Sequence, residues 1–272
     1  MPLLAAVLGD PIDHSLSPIL HGHWLRRHGI KGHYVPIHVR QDNFPAALEA
    51  LQRLGFAGVN VTVPHKEKAL RLSDRASDAA RRIGAANMLT FTATGIHADN
   101  TDAFGFTWNI LDKLPSWQPC HATVIGAGGA SRAVLAALLE RGVVEIRLVN
   151  RNLARAKNLA SEFGDFVQPL PWAERHDCLD GCDTLINATS LGMAGNAELD
   201  LNIDVLPRDA LVTDLVYTPL DTSLLITARN RGNPVVDGLG MLLHQAVPAF
   251  ERWFGSKPVV DDDLRNAVLE KT

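Results

Sequence analysis

His121-Ala122-Thr123-Val124-Ile125-Gly126-Ala127-Gly128-Gly129-Ala130-Ser131 is the stretch that decides how the second half of this chain folds. An apolar, β-branched run passes straight into glycines and then into Ala- and Leu-rich helical sequence. Each glycine has a mechanical task. Gly126 allows a tight turn, and Gly128 lets the backbone approach a pyrophosphate. The helix opening at Gly129 offers free N–H groups and a favourable dipole to an anion. Ser131 takes the place of the third glycine of the usual fingerprint, which a small residue can do. A glycine cluster alone is a weak signal. Here it follows a strand, opens a helix at Ala130–Arg141 and is followed by a second strand at Glu145–Val149, a unit of about 30 residues, as a dinucleotide site requires.

The end of that second strand discriminates between cofactors. A site for NAD usually carries Asp or Glu there, bonded to the ribose 2′-hydroxyl. This chain carries Asn150-Arg151-Asn152, with Arg155 one helical turn beyond Arg151. A guanidinium suits a 2′-phosphate, because it is planar, permanently charged and rich in donors. NADP(H) is the expected cofactor.

Working outward, the pattern alternates strands and helices. Strands are expected at Leu3–Leu8, His33–His38, Gly58–Val63, Met88–Thr92 and Gly95–Ala98, then at His121–Ile125, Glu145–Val149, Thr184–Ala188, Leu211–Asp214 and Pro234–Asp237. Helices are expected at Ser17–His28, Phe44–Leu54, Glu67–Leu72, Ser77–Arg82, Ala130–Arg141, Arg151–Glu162 and Thr222–Arg231, with one closing helix at Gly240–Phe254. This alternation predicts βαβ units and mostly parallel sheet. The expected fold is α/β in two domains. Residues 106–239 are expected to form a Rossmann NADP-binding domain with a parallel sheet, and residues 1–105, completed by 240–272, a second α/β domain.

Composition narrows the function class. With 272 residues, 46% hydrophobic content and a net charge of −4, the chain reads as an ordinary globular protein and lacks the basic face of a nucleic-acid binder. Cys120, Cys178 and Cys182 are an odd set without a zinc-spaced partner pair, so neither a disulfide framework nor a metal site is expected, and the compartment reads as reducing. The apolar start MPLLAAVLGD lacks a basic flank and a cleavage site, and no stretch approaches the roughly 18 apolar residues of a membrane span. The expectation is a soluble, cytoplasmic protein without membrane or nucleic-acid partners, monomeric or homodimeric.

Several further segments are polar where core strands and helices would be apolar. They are Ser15-Leu16-Ser17-Pro18, Asn60-Val61-Thr62-Val63-Pro64-His65-Lys66, Gly84-Ala85-Ala86-Asn87 and Asp99-Asn100-Thr101-Asp102-Ala103-Phe104-Gly105-Phe106. Together with Gly126–Ser131, Asn150-Arg151, Asn187-Ala188-Thr189-Ser190, Tyr217-Thr218-Pro219 and the run Asp237-Gly238-Leu239-Gly240 through Gln245, they closely resemble the shikimate dehydrogenase family, in order and over nearly the whole chain.

That resemblance implies NADPH-dependent reduction of 3-dehydroshikimate to shikimate, with the N-terminal α/β domain as the substrate-binding domain and the active-site cleft between it and the Rossmann domain. It implies that Ser15 and Ser17 hold the substrate carboxylate, that Asn60, Thr62, Asn87, Tyr217 and Gln245 surround the substrate, and that Lys66 and Asp102 are the catalytic pair. It also implies cofactor contacts at Gly126, Ala127, Gly128, Gly129, Ala130, Asn150, Arg151, Asn152, Arg155, Thr189, Leu215 and Gly238. The chemistry agrees, since hydride addition to a ketone builds negative charge on oxygen, which a nearby ammonium can stabilise and protonate. His65 is expected to be structural, because neighbouring side chains leaving a strand diverge.

Three positions depart from the family pattern: Met88 for Thr, Ala103 for Gly and Asn152 for Thr. The first two would reshape the cleft, while Asn152 still carries a donor for phosphate. Three other readings remain. A quinate/shikimate dehydrogenase preferring NAD is opposed by Ser15, Ser17 and Arg151. A non-catalytic NADP-binding sensor is opposed by the presence of both Lys66 and Asp102. A Rossmann enzyme acting on another small acid is opposed by the Asn60–Lys66 and Asp99–Phe106 segments.

Overall fold

The computed structural model describes residues 2–271. Its chain divides into two units, one running up to Asp102 and resuming at Leu243, the other spanning Ala103–Leu242.

In chain order the first unit contains β1 (Leu3–Gly9), α1 (Ser17–Arg27), β2 (Gly32–His38), α2 (Phe44–Arg53), β3 (Gly58–Val61), α3 (Lys66–Arg71), β4 (Arg75–Ala76), α4 (Asp78–Ile83), β5 (Met88–Thr92) and β6 (Gly95–Asp99). Its six-stranded sheet has the order β2-β1-β3-β5-β6-β4. β1 runs parallel to both β2 and β3, as βαβ connections demand. β5 is antiparallel to β3 and to β6, so this sheet is mixed. The two-residue step between β5 and β6 can only make a hairpin, and Gly95, with φ of +111°, takes the backbone conformation that the turn requires. The core on one face gathers Leu8, Phe44, Leu48, Val59, Val61 and Leu89.

Helix α5 (Asp102–Lys113) starts on the last residue of this unit and leads into the second. There β7 (His121–Ile125), α6 (Gly129–Glu140), β8 (Glu145–Asn150), α7 (Leu153–Phe163), β9 (Val167–Pro171), β10 (Thr184–Asn187), β11 (Leu211–Asp214), α8 (Ser223–Arg231) and β12 (Val235–Val236) follow. All five strand pairings are parallel, in the order β12-β11-β10-β7-β8-β9. β7 lies in the middle and its run Ala122–Ile125 is fully buried, which explains its apolar sequence. The order reverses at β7, the switch point outside which doubly wound sheets bind ligands at strand C-termini. This unit is a Rossmann fold.

The chain then returns through α9 (Leu239–Gln245), α10 (Val247–Phe254) and α11 (Asp262–Leu269). The single helix expected over Gly240–Phe254 is therefore two. Pro248 sits in the first turn of α10, where a missing N–H is tolerated, but inside one continuous helix it would leave a broken hydrogen bond. β9 was not expected, since Pro169 and Pro171 discourage strands. It is tolerated because β9 is the sheet edge, pairing only with β8. Helices α5 and α11 and the short β4 were not expected either. No helix among the described residues is long and apolar enough to cross a membrane.

Gly58 opens β3 directly beneath the Trp253 indole and the Leu89 carbonyl, both of which a Cβ would strike. Overpacking of this kind costs about 1–3 kcal/mol. Gly58→Ala should lower the thermal unfolding midpoint by about 5 °C, measured by circular dichroism, because Trp253 is also held by a 3.2 Å hydrogen bond from its Nε1 to Thr90 Oγ1.

Candidate active site and dinucleotide loop

Lys66 is the first residue of α3 and Asp102 the first of α5, and their side chains meet with Nζ 2.6 Å from Oδ2. The pair is partly buried, the lysine side chain 29% exposed and the aspartate 13%. Asp102 is held from three directions. Lys66 takes Oδ2, the Asn87 amide donates to Oδ1 at 2.7 Å, and the Asp102 backbone N–H donates to Asn100 Oδ1 at 3.0 Å. Asn100 is itself anchored by its donation to the Ala85 carbonyl at 2.9 Å.

Asn87 stands just before β5 and its carboxamide orientation is unambiguous. The Thr101 backbone N–H, which can only donate, bonds Asn87 Oδ1 at 2.8 Å. Asn87 Nδ2 is thereby turned towards Asp102 and, at 3.3 Å, towards Gln245 Oε1 at the end of α9. The carbonyl of Asn87 accepts from Asn60 Nδ2 at 3.0 Å, which brings β3 into the same network. Five of the expected residues, Lys66, Asp102, Asn87, Gln245 and Asn60, thus form one hydrogen-bonded cluster within the first unit.

Ser15 and Ser17 sit at the entry to α1, the Ser17 N–H bonding Ser15 Oγ at 3.4 Å. Thr62 follows β3 and its N–H bonds the Leu8 carbonyl at 2.9 Å. His65 is buried, with Nε2 2.6 Å from the Val39 carbonyl and its ring stacked on Phe44, so it holds the loop before Lys66 and faces away from the cluster.

In the second unit, Gly126 ends β7 with φ of +106° beneath Ala188 and Thr189, a place for glycine alone. Ser131 bonds back to the loop, donating to the Gly126 carbonyl at 2.8 Å and accepting from the Gly128 N–H at 3.0 Å. The serine in the third fingerprint position therefore braces the turn. A Cβ placed on Gly128 or Gly129 would meet nothing within 4 Å. Open space at the N-terminus of a twelve-residue helix is what a pyrophosphate needs, so the loop fits a dinucleotide.

The end of β8 completes this loop. Asn150 Oδ1 accepts from the Ala127 N–H at 3.2 Å, and its Nδ2 donates to the Asn152 carbonyl at 2.9 Å. Asn152 caps α7 by accepting from the Arg155 N–H at 3.1 Å, which leaves its Nδ2 to donate outward. Arg151 and Arg155 are exposed, and among the described residues no carboxylate pairs with either guanidinium. Both guanidinium groups are open to an anion, and their chemistry fits a 2′-phosphate.

Asp214, at the end of β11, is buried and unpaired by any cation among the described residues. It accepts from Asn187 Nδ2 and the Val216 N–H, both at 2.9 Å, and from Thr222 Oγ1 at 2.8 Å. Asn187 Oδ1 in turn accepts from the Thr189 N–H and hydroxyl. One buried carboxylate thus ties together the loops that carry Thr189, Leu215 and Tyr217. Burial pushes its pKa above the usual carboxylate value, and these donors pull it part of the way back. Gly238 packs against the Leu215 carbonyl so closely that any Cβ would collide. Tyr217 is half-buried, and desolvation raises its phenol pKa.

Of the departures, Met88 lines a depression with Thr90, His97 and Arg252 and is not among the groups touching Lys66 or Asp102. Ala103 is buried in the first turn of α5, and nothing in the structure explains it further. Sequence reasoning flagged the polar segment that holds Asn100 and Thr101 without giving either a role, and it missed Asp214, whose only signal was a carboxylate closing the strand Leu211–Asp214. Cys120, His121 and Asp183 also come close together. There Asp183 Oδ2 accepts from the backbone N–H groups of Cys120 and His121, both at 2.8 Å, clamping the start of β7.

A Rossmann unit with an NADP-type loop, joined to an α/β unit bearing a lysine–aspartate pair, defines a nicotinamide-dependent oxidoreductase class. Comparison with known proteins narrows this. Residues 7–89 match the shikimate dehydrogenase substrate binding domain, 110–194 the shikimate/quinate 5-dehydrogenase domain, and 238–263 the shikimate 5′-dehydrogenase C-terminal domain. The NADP(+) shikimate dehydrogenase of Dinoroseobacter shibae is 54% identical over 269 residues, covering 98% of this chain and 97% of that protein. Among solved structures, the Thermus thermophilus shikimate 5-dehydrogenase in complex with NADP(H) and shikimate is 37% identical. It has a TM-score of 0.87, covering 99% of this chain and all of that one. The Corynebacterium glutamicum quinate dehydrogenase in complex with NAD is 31% identical, with a TM-score of 0.92 over 99% of both chains. The chain belongs to the shikimate dehydrogenase family.

The raised pKa of Asp214 has a definite sign in stability. The folded state holds this proton more tightly than the unfolded state, so the stabilisation is complete below the ordinary value of 3.8 and is lost as pH rises through the folded value. Asp214→Asn keeps the shape, and its Nδ2 can donate to Thr222 Oγ1. In urea titrations across acidic pH, wild type should lose stability with rising pH in that window relative to the variant, which lacks this slope.

Proposed function

We propose that this chain catalyses the reversible, NADP-dependent reduction of 3-dehydroshikimate to shikimate, a step of chorismate and aromatic amino-acid biosynthesis, as a cytoplasmic enzyme. The observation that carries this reading is the Lys66–Asp102 contact at 2.6 Å, embedded in the Asn87, Gln245 and Asn60 network. The relatives at 54% identity are NADP(+) shikimate dehydrogenases, which supports it.

The loop Gly126–Ala130 with the N-terminus of α6 would hold the pyrophosphate, Asn150, Arg151, Asn152 and Arg155 the adenosine 2′-phosphate end, and Thr189, Leu215 and Gly238 the remainder of the cofactor. When bound, NADPH supplies the hydride. Ser15 and Ser17 hold the substrate carboxylate, and Asn60, Thr62, Asn87, Tyr217 and Gln245 bind the ring oxygens. As hydride reaches the carbonyl carbon, the Lys66 ammonium stabilises the charge growing on oxygen and passes its proton to it. Asp102 holds Nζ in place and accepts from a neighbouring substrate hydroxyl. Lys66 is 29% exposed, so solvent can restore its proton. In the reverse direction the neutral amine takes the hydroxyl proton as hydride leaves.

A second reading, quinate oxidation with NAD, is favoured by the resemblance to the Corynebacterium glutamicum enzyme. Asn150 in place of an acidic residue at the end of β8, together with the unpaired Arg151, opposes it.

Nicotinamide absorbance with shikimate or quinate, paired with NADP or NAD, separates the two. Turnover is expected with shikimate and NADP. Turnover with quinate and NAD alone would overturn the first reading. Lys66→Met should lower kcat by about a hundredfold or more while leaving the folded circular dichroism spectrum intact. Arg151→Ala should raise the KM for NADP about tenfold, with the KM for shikimate and the weak NAD reaction little changed.

A further inference from the structure

Beyond the groups expected to touch substrate lies Tyr34, on β2, which is 7% exposed. Its hydroxyl donates to Asn60 Oδ1 at 2.8 Å, and the Ser17 hydroxyl adjoins the same phenol. Register explains the reach. Tyr34 pairs with Ala5, and Ala5 with Gly58, so these three stand in one row on one face of the sheet. Ala5 and Gly58 are too small to obstruct the ring. Asn60 is two residues beyond Gly58 and returns to the same face.

The ring is clamped as well as bonded. His21 of α1 stacks on it with centroids 3.9 Å apart and planes 6° from parallel, and Trp253 lies 6.5 Å away. His21 is fully buried among Trp24, Phe250 and Trp253, with both ring nitrogens unbonded among the described residues. Burial lowers its pKa to about 3, so it is a neutral aromatic plate at physiological pH. Burial raises the Tyr34 pKa well above its ordinary value, which keeps the phenol a donor throughout the working range.

We propose that Tyr34 is a positioning residue: clamped by His21, it is the second anchor that holds the plane in which Asn60 presents its amide to the substrate, and it braces Ser17 beside it. This rests on the assignment of Asn60 and Ser17 to substrate binding. The Asn87 carbonyl can only accept, so it selects Nδ2 of Asn60, and the Tyr34 hydroxyl then donates to Oδ1 as the second anchor of the amide plane. One Nδ2 hydrogen goes to the Asn87 carbonyl at 3.0 Å, and the other is offered to an acceptor oxygen of the substrate. Without the phenol hydroxyl, Asn60 keeps only its bond to the Asn87 carbonyl, and the amide plane can swing about that single anchor, moving its second hydrogen away from the substrate.

The test is steady-state kinetics of Tyr34→Phe, Asn60→Ala and the double variant, with thermal midpoints measured alongside. Tyr34→Phe keeps the stack and removes only the hydroxyl. It should raise the KM for shikimate about fivefold to tenfold, with kcat and the KM for NADP within about twofold of wild type. In the Asn60→Ala background the same change should have no further effect on KM, because the group it positions is gone. Independent, multiplying effects in the double variant, or an unchanged KM in Tyr34→Phe where Asn60→Ala raises it, would overturn the role of Tyr34 alone. An unchanged KM in Asn60→Ala would overturn the assignment of Asn60 itself, and this inference with it.

Discussion

Asn87 is buried, and every polar atom it carries is engaged. Its backbone N–H bonds the Asp99 carbonyl of β6, and its carbonyl accepts both the Val61 N–H of β3 and the Asn60 side chain. Its carboxamide oxygen accepts the Thr101 N–H, and its amide reaches Asp102 and Gln245. The remainder of the first unit's site depends on this residue. Lys66 approaches from α3, Asp102 from α5, Asn60 from β3 and Gln245 from α9, and the one group touching three of the four is Asn87. Buried polar networks of this kind hold geometry tightly, since each unmade bond would strand a desolvated group. The lysine–aspartate pair is thus held by a scaffold of amides.

The second unit solves a similar problem with a carboxylate. Asp214 gathers donors from Asn187, Val216 and Thr222, and so fixes two loops at the C-terminal ends of β10 and β11. Burying an anion without a cation is costly, which its raised pKa records, and three hydrogen bonds offset that cost. The neighbouring turn is braced differently. Gly126 fits beneath Ala188, Ser131 ties the turn to the helix, and Gly128 and Gly129 leave room for phosphate oxygens. Loop rigidity comes from local hydrogen bonds, while the anion site comes from what the glycines omit.

Under the proposed function the two units would divide the chemistry. The first would carry proton transfer and recognition of the carbon skeleton through a polar network built on a mixed sheet. The second would carry cofactor binding through the switch point of a parallel sheet. The family resemblance runs over both regions.

Local sequence went far in this chain. The β7 turn, the helix beginning at Gly129 and the arginines after β8 were legible because glycine conformation, apolar runs and charge act over a few residues. So were the boundaries of β5, β7 and β11, and those of most helices to within a residue or two, and resemblance supplied Lys66, Asp102 and their neighbours. The rest was decided by the tertiary structure. β9 exists because an edge position tolerates its prolines, and the break between α9 and α10 falls where Pro248 must begin a new helix. The roles of Asn87, Asp214 and Tyr34 come from partners 14 to 27 residues away for Asn87 with Thr101, Asn60 with Asn87, Asn187 with Asp214 and Tyr34 with Asn60. Periodicity and local propensity report which side of an element faces inward. Which polar groups meet there depends on strand order and register, and these exist only once the sheets have formed.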